Sequence, residues 1–448
     1  ISLLTRRAYI RQIAAPRFSS SKILAKQLLD ALPFQMTNAQ KRVSKEILHD
    51  LKQEQPMLRL VQGDVGAGKT LVAAVAACHA LEADWQVALM APTEILAEQH
   101  YLNFKRWFEP LGIEVAWLSG KQKGKARTQA EQHIKEGHAQ LIVGTHALFQ
   151  DNVGFNKLGL VIIDEQHRFG VDQRLALRNK GNDQFTPHQL VMTATPIPRT
   201  LAMSAYGDLD TSVIDELPPG RTPIQTVTIP LDRREQVLQR IATNCREGKQ
   251  AYWVCTLVEQ SETLDAQAAE ATYQEIKDRF PDVNIGLVHG KMKANEKQAV
   301  MQAFKDNQLQ LLIATTVIEV GVDVPNASIM VIENAERLGL SQLHQLRGRV
   351  GRGATASFCA LLYKAPLSQN GQERLSIWRE SNDGFVIAEK DLKIRGPGEL
   401  LGTKQTGDMG FRVVRLERDD HLLSQAHVVA QHILKDYPRQ ADGLLKRW

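Results

Sequence analysis

The stretch MLRLVQGDVGAGKTLVAA, residues 57–74, decides how the rest of the chain is read. An apolar run leads into a glycine-rich turn, and an alanine-rich segment follows, so the order is strand, loop, helix. Gly63, Gly68, Lys69 and Thr70 fit the spacing G-x-x-x-x-G-K-[ST], which has meaning only between a strand and a helix. The loop Gly63, Asp64, Val65, Gly66, Ala67, Gly68 turns backbone N–H groups toward a phosphate, and the helix adds its positive end. In this arrangement Lys69 reaches the β- and γ-phosphates and the Thr70 hydroxyl binds Mg²⁺. The pattern predicts binding of a nucleoside triphosphate and leaves open what its hydrolysis drives.

Composition narrows the choices only slightly. A chain of 448 residues suggests three domains, at about 150 residues for each. The balance of 55 Lys+Arg against 50 Asp+Glu gives a net charge of +5, compatible with a nucleic-acid partner without requiring one. No stretch approaches the ~18 consecutive apolar residues of a membrane span, so no membrane partner is expected. Cys78, Cys245, Cys255 and Cys359 lie far apart with no C-x-x-C pair. That spacing favours neither zinc nor a disulfide framework and suits a reducing, cytoplasmic setting. The opening ISLLTRRAYIRQIAAPRFSSSK carries four arginines and no acid before Asp30, as an organelle transit peptide does. A basic connector cut from a preceding domain explains the same residues, and residues 1–31 are read as that connector.

Beyond it, short apolar runs alternate with helical patterns, which predicts βαβ units and parallel sheets. The first set of buried strands is expected at 57–62, 86–92, 140–146, 158–165 and 189–195. DELPPGRTPI (215–224) reads as a linker, after which strands recur at 250–258, 283–290, 310–317, 328–334 and 356–364. The expected fold is therefore α/β, with two tandem parallel-sheet lobes at 32–220 and 221–366 and a helical, loop-containing region at 367–448. No sequence repeat relates the lobes.

Polar residues stand where the strands stop, the edge at which open α/β sheets bind ligands. LVIIDEQH ends its apolar run on Asp164 and Glu165, about 95 residues after the phosphate loop. One acid can join a Mg²⁺ shell and the other can orient or deprotonate attacking water, which assigns Asp164 to the first role and Glu165 to the second. Far downstream, QLRGRVGRG (345–353) sets Arg347, Arg349 and Arg352 among glycines. Planar guanidinium groups suit a phosphate whose charge spreads in the transition state. Nucleotide held in a cleft that hydrolysis opens and closes is the working principle of a motor.

At this point a resemblance emerges. LPFQMTNAQ, GDVGAGKT, APTEILAEQH, VGTHALF, DEQH, TATPIPRT, TTVIEVGVDVP and QLRGRVGRG, from 32 to 353, resemble the ordered motifs of superfamily 2 helicases with their paired RecA-like lobes. DGFVIAEKDLKIRGPGELLGTKQTG (383–407) resembles the translocation motif shared by the RecG family and the transcription-repair coupling factor. Gln166 and Pro397 make it more similar to the former, with a DNA translocase of the transcription-repair-coupling type as the alternative. The resemblance implies that Phe34 and Gln40 contact adenine, favouring ATP, and that Gly321 and Asp323 are second-lobe nucleotide contacts. It implies that Arg349 and Arg352 are arginine fingers, with Gln345 opening their motif. It places Thr93, Thr145, His146 and Thr316 against a nucleic-acid backbone, and makes His167, Thr193 and Thr195 the link between hydrolysis and movement. Arg395 and Gln405 fall in the coupling stretch. The implied activity is ATP-dependent translocation on double-stranded or branched DNA in recombination and repair. A monomeric protein in the bacterial cytoplasm, associated with the nucleoid, is expected, with a single-stranded-DNA-binding protein as a further partner. RecG proteins also carry an N-terminal wedge domain with an OB-fold, and nothing before residue 32 reads as its strands.

Two other classes remain in view. An RNA helicase uses the same lobes, although residues 383–407 argue against it. A nucleotide-gated switch of the GTPase kind needs an N-K-x-D guanine reader, and NKGN at 179–182 ends in Asn182 instead.

Overall fold

The computed structural model describes residues 5, 13–19, 21–122, 124–150, 152–165, 185–194, 209–219, 223–256, 262–319, 324–351, 353, 355–395 and 416–447. The chain divides into two compact units, one from Ile1–Gly63, Ala67–Leu217 and Pro397–Trp448, the other mainly from Pro218–Gly396. In the first unit helices α1 (Ile23–Asp30) and α2 (Asn38–Leu51) precede β1 (Leu58–Gly63), α3 (Lys69–Glu82), β2 (Gln86–Met90) and α4 (Glu94–Phe108). There follow β3 (Val115–Leu118), α5 (Gly124–Glu136), β4 (Leu141–Gly144), β5 (Leu158–Asp164), β6 (His188–Thr193) and β7 (Asp210–Ile214). The seven strands run in the order β3-β4-β2-β5-β6-β1-β7, and every pairing is parallel.

A parallel sheet is covered on both faces, so its inner strands are apolar at successive positions rather than at alternate ones. In β5, Leu160 and Ile162 join the core on one face, and Val161 and Ile163 join the core on the other. Helix α3 is buried almost all round, from Leu71 to Leu81. Its alanines let that helix lie close to the strands, which explains an apolar pattern broader than one stripe.

The second unit repeats the plan. It contains β8 (Gln225–Pro230), α6 (Arg234–Arg246), β9 (Gln250–Val254), α7 (Glu262–Arg279), β10 (Ile285–Val288) and α8 (Ala294–Lys305). Next come β11 (Leu311–Ala314), β12 (Ala327–Ile332), α9 (Leu340–Arg347), β13 (Phe358–Tyr363), α10 (Gln369–Glu380) and α11 (Gly384–Arg395). Its sheet runs β10-β11-β9-β12-β13-β8, again all parallel. Helices α12 (Leu416–Asp436) and α13 (Pro438–Arg447) complete the chain.

A side-chain device recurs in both units. Gln86, the first residue of β2, donates from Nε2 to the carbonyls of Ile134 (2.8 Å) and Ala139 (2.7 Å). Gln250, the first residue of β9, does the same to Phe304 (2.5 Å) and Leu309 (2.7 Å). In each unit the amide closes the turn that leads from a helix into the neighbouring strand. Satisfying otherwise buried carbonyls at the same place twice marks a shared architecture that residue identity alone does not reveal.

The stretch read as a connector contributes to the first unit's core. Phe18 is fully buried, and Leu24 and Leu28 join the same cluster. Backbone bonds tie Ala15 to Glu54 and Phe18 to Leu51, each at 2.9 Å. His188 completes the attachment, because its Nδ1 accepts from Met57 N–H (2.9 Å) and its Nε2 donates to the Pro16 carbonyl (2.7 Å). Both ring nitrogens are satisfied only in the neutral form. Burial pulls the His188 pKa down from 6.5 to about 4, opposed in part by the Pro16 carbonyl. The sign follows: the unfolded chain binds this proton between those two values and the folded one does not. His188 therefore contributes stability fully above pH 6.5 and loses it as pH falls toward 4, at about 1.4 kcal/mol per pH unit. His188→Gln, which keeps an acceptor and a donor, flattens the pH dependence of denaturant melts across that window. An unchanged slope would show that other groups control acid stability.

Candidate nucleotide site

Register brings the predicted residues of the first unit together. Gln62 of β1 pairs with Thr193 of β6, and Met192 pairs with Asp164 of β5. The start of the phosphate loop, the acid pair and Thr193 thus stand side by side at the carboxyl edge of the sheet. Gly66 and Gly68 have φ of 78° and 81°, the left-handed region that glycine enters without a Cβ penalty. At Gly68 a second constraint applies, because a Cβ there would lie 2.3 Å from Gln40 Nε2.

Gln40 holds this loop from outside. Its Nε2 donates to the Ala67 carbonyl at 2.8 Å, and its Oε1 accepts from Thr37 N–H at 2.9 Å in a capping box at the start of α2. One amide therefore joins a helix cap to the phosphate loop. Phe34 is half exposed, with its ring available as a surface. Within the loop, Lys69 is buried and its Nζ donates to the Gly63 carbonyl at 2.7 Å. Val65 N–H donates to Asp64 Oδ1 at 2.6 Å. Thr70 stands on the first turn of α3.

Asp164 ends β5 and is buried. Its Oδ1 accepts from the Glu165 backbone N–H at 3.1 Å, and His100 Nε2 lies 2.7 Å from its Oδ2. Burial alone raises a carboxyl pKa, but the hydrogen bond and charge of His100, with Lys69 and the Glu165 N–H, outweigh it. Asp164 is held below the usual carboxylate range and is ionised in the folded chain. Glu165 has φ 53°, an uncommon conformation for a non-glycine residue, and Ala194 N–H donates to its carboxylate at 3.3 Å. The strained backbone aims Glu165 across to the segment after β6. A hydroxyl, a carboxylate and a buried ammonium in this arrangement match the hard-oxygen ligands of Mg²⁺ and the charge of a polyphosphate. The residues present fit Mg²⁺ with a nucleotide.

The residues expected to face nucleic acid divide. Strands β2 and β4 are neighbours, and Ala91 N–H donates to the Gly144 carbonyl at 3.0 Å, which draws Thr93 and His146 to one edge. Thr93 caps α4 by accepting Leu96 N–H at 3.4 Å, and His146 is exposed. Thr145 is buried, and its hydroxyl has no hydrogen-bond partner among the described residues. In the second unit Thr316 opens a short turn after β11 and is half-buried, and Gln345 is buried on α9. Arg349 follows α9 and is half-buried. Arg347, grouped with it by composition, is fully committed elsewhere. Its guanidinium lies 4.0 Å over the Trp378 ring and donates to the Trp378 and Ser381 carbonyls at 3.2 and 2.9 Å. It fastens α9 to the turn between α10 and α11. Thr193 is buried, and Arg395 ends α11. His167, Thr195, Gly321, Asp323, Arg352 and Gln405 lie outside the described residues.

Sequence reasoning missed His100. It closes the quoted stretch APTEILAEQH, but its place in the series Ala97, His100, Phe104, Phe108 of α4 reads equally as plain core.

Comparison with known proteins places these features in families. Residues 37–204 match the DEAD/DEAH box helicase model, 233–354 the helicase conserved C-terminal domain, and 381–443 the C-terminal domain 3 of ATP-dependent DNA helicase RecG. The chain is 64% identical over 450 residues to the ATP-dependent DNA helicase RecG of Escherichia coli K12, covering all of this chain and 65% of that protein. It is 47% identical over 443 residues to RecG of Aquifex aeolicus, covering 98% of this chain and 56% of that one. The chain thus spans less than two thirds of the length of these relatives. A solved structure of RecG bound to a three-way DNA junction superposes with a TM-score of 0.77 at 42% identity, over 94% of this chain and 55% of that one. Yeast Dbp5 bound to RNA and ADP BeF3 shares the fold, with a TM-score of 0.60 at 18% identity over 85% of this chain and 93% of that one. Among the described residues no helix is long and apolar enough to cross a membrane.

Proposed function

We infer that this chain, which belongs to the RecG family of superfamily 2 helicases, is an ATP-driven motor that moves on duplex DNA and remodels branched DNA in recombination and repair. The observation that carries the reading is the convergence of Lys69, Asp164 and Glu165 at one sheet edge, within a chain whose residues 381–443 match the C-terminal domain 3 of RecG. Thr70 and Asp164 would hold Mg²⁺, which neutralises phosphate charge when bound. Lys69 swings from the Gly63 carbonyl to the β- and γ-phosphates, exchanging a neutral acceptor for a charged one. Glu165 orients the attacking water and accepts its proton. The Ala194 N–H bond to that carboxylate supports a coupling of the base to movement after β6.

Phe34 and Gln40 contribute adenine contacts, which favours ATP. Gly321 and Asp323 supply second-lobe nucleotide contacts, and Arg349 and Arg352 act on transition-state charge. Thr93, Thr145, His146 and Thr316 serve the DNA backbone, where contacts position a duplex without reading its sequence. Thr145 does so after a local rearrangement that uncovers its hydroxyl. His167, Thr193 and Thr195 transmit hydrolysis to movement, and Arg395 and Gln405 couple it to strand displacement. A monomer working in the nucleoid with a single-stranded-DNA-binding protein completes the proposal.

Displacement of a third strand from a DNA triplex tests the motor directly. The chain is expected to strip that strand only with ATP and Mg²⁺, and to lose the activity on Lys69→Ala. Duplex-stimulated ATP hydrolysis without displacement would make it a switch rather than a motor.

A further inference from the structure

The metal-binding carboxylate has a partner that the motifs do not assign. His100 lies two helical turns after the Thr93 cap of α4, on the helix face that also buries Ala97, Phe104 and Phe108. Its ring meets Phe104 edge-on, with centroids 6.5 Å apart at 79°, so the imidazole is held by packing as well as by its polar bond. His100 is 5% exposed and Asp164 is 8% exposed, so water competes little for the 2.7 Å contact between Nε2 and Oδ2. An ionised carboxylate only accepts, so Nε2 carries the proton and donates. With Glu165 N–H on Oδ1, each oxygen of Asp164 has one fixed donor. The carboxylate can no longer rotate about its last bond, and the remaining lone pairs point in set directions.

We propose that His100 is a positioning residue for the divalent cation: it fixes the Asp164 carboxylate in the orientation that receives Mg²⁺ with the nucleotide. The proposal rests on the nucleotide-site reading above. A histidine bonded to the far oxygen of a metal-binding carboxylate acts as an outer-shell partner, and losing such a partner typically costs about 10- to 100-fold in metal affinity. A histidine that merely fills the core would affect melting and leave metal affinity alone.

Mn²⁺ serves as the probe, followed by electron paramagnetic resonance in the presence of a non-hydrolysable ATP analogue, on the full 448-residue chain. His100→Leu removes the donor at similar bulk, and His100→Gln restores an N–H. His100→Leu is expected to weaken Mn²⁺ binding about 10-fold or more, and His100→Gln to return it to within about threefold of the wild type. Nucleotide affinity measured in EDTA should be the same in all three. Wild-type Mn²⁺ affinity in His100→Leu would overturn the proposal. Equal weakening in both variants, tracking a lowered melting temperature, would also overturn it by reducing His100 to packing. Should the wild-type chain itself fail to bind Mn²⁺ with the nucleotide, the nucleotide-site reading fails first and this proposal with it.

Discussion

Lys69→Ala abolishes measurable ATP turnover while the chain stays folded. Lys69 is buried against the loop, and its Nζ donates to the Gly63 carbonyl at 2.7 Å. Removing it relieves the cost of burying an ammonium but also takes a cation away from the buried Asp164 carboxylate, so the melting temperature should stay close to the wild type. The loss falls on the phosphates. Removing one preorganised donor aimed at developing charge costs about 10²–10³ in rate, and here the donor also carries a full charge. Steady-state ATPase with saturating duplex, beside a thermal melt, reads both halves. Turnover within tenfold of the wild type would remove Lys69 from the catalytic group.

Glu165→Gln is the second large effect. The amide keeps the size of the side chain and retains an oxygen for Ala194 N–H, so the strained backbone at φ 53° and its cross-strand contact survive. Only the base is lost. Binding of ATP should persist, and hydrolysis should slow by about 10²–10⁴, the usual range for acid–base help. Single-turnover hydrolysis with nucleotide affinity measured separately decides it. Near-normal turnover would assign the proton transfer to another group, and a collapse of affinity would make Glu165 a ground-state ligand.

Much of this site was legible because its parts are local. The phosphate loop and the Asp164–Glu165 pair are read from spacing within a few residues, and parallel strands then align them without further instruction. The inner strands were legible for the same reason, since burial on both faces leaves continuous apolar runs. Strands β3, β7 and β8 were not anticipated. Each is an edge strand, and β8 (QTVTIP) has alternating exposed positions instead of an apolar run. The arginines of the opening segment read as a basic connector and give no sign of its packing, in which Phe18 and Leu24 join the first unit's core. Contacts that span long separations were invisible to pattern reading. His100 meets Asp164 across 64 residues, and Arg347 closes on Trp378 across 31. In the second case the arginine-rich run suggested phosphate binding for a side chain that the fold spends on stacking.

A motor driven along duplex DNA reveals itself in an ATPase titration at one fixed salt concentration. Salt must be held constant because phosphate contacts weaken steeply as it rises. Linear duplex, forked duplex, single-stranded DNA and structured RNA are compared at equal nucleotide concentration. Strong stimulation by both duplexes and little by RNA is expected. Stimulation by RNA equal to that by duplex DNA, or turnover indifferent to every nucleic acid, would contradict it.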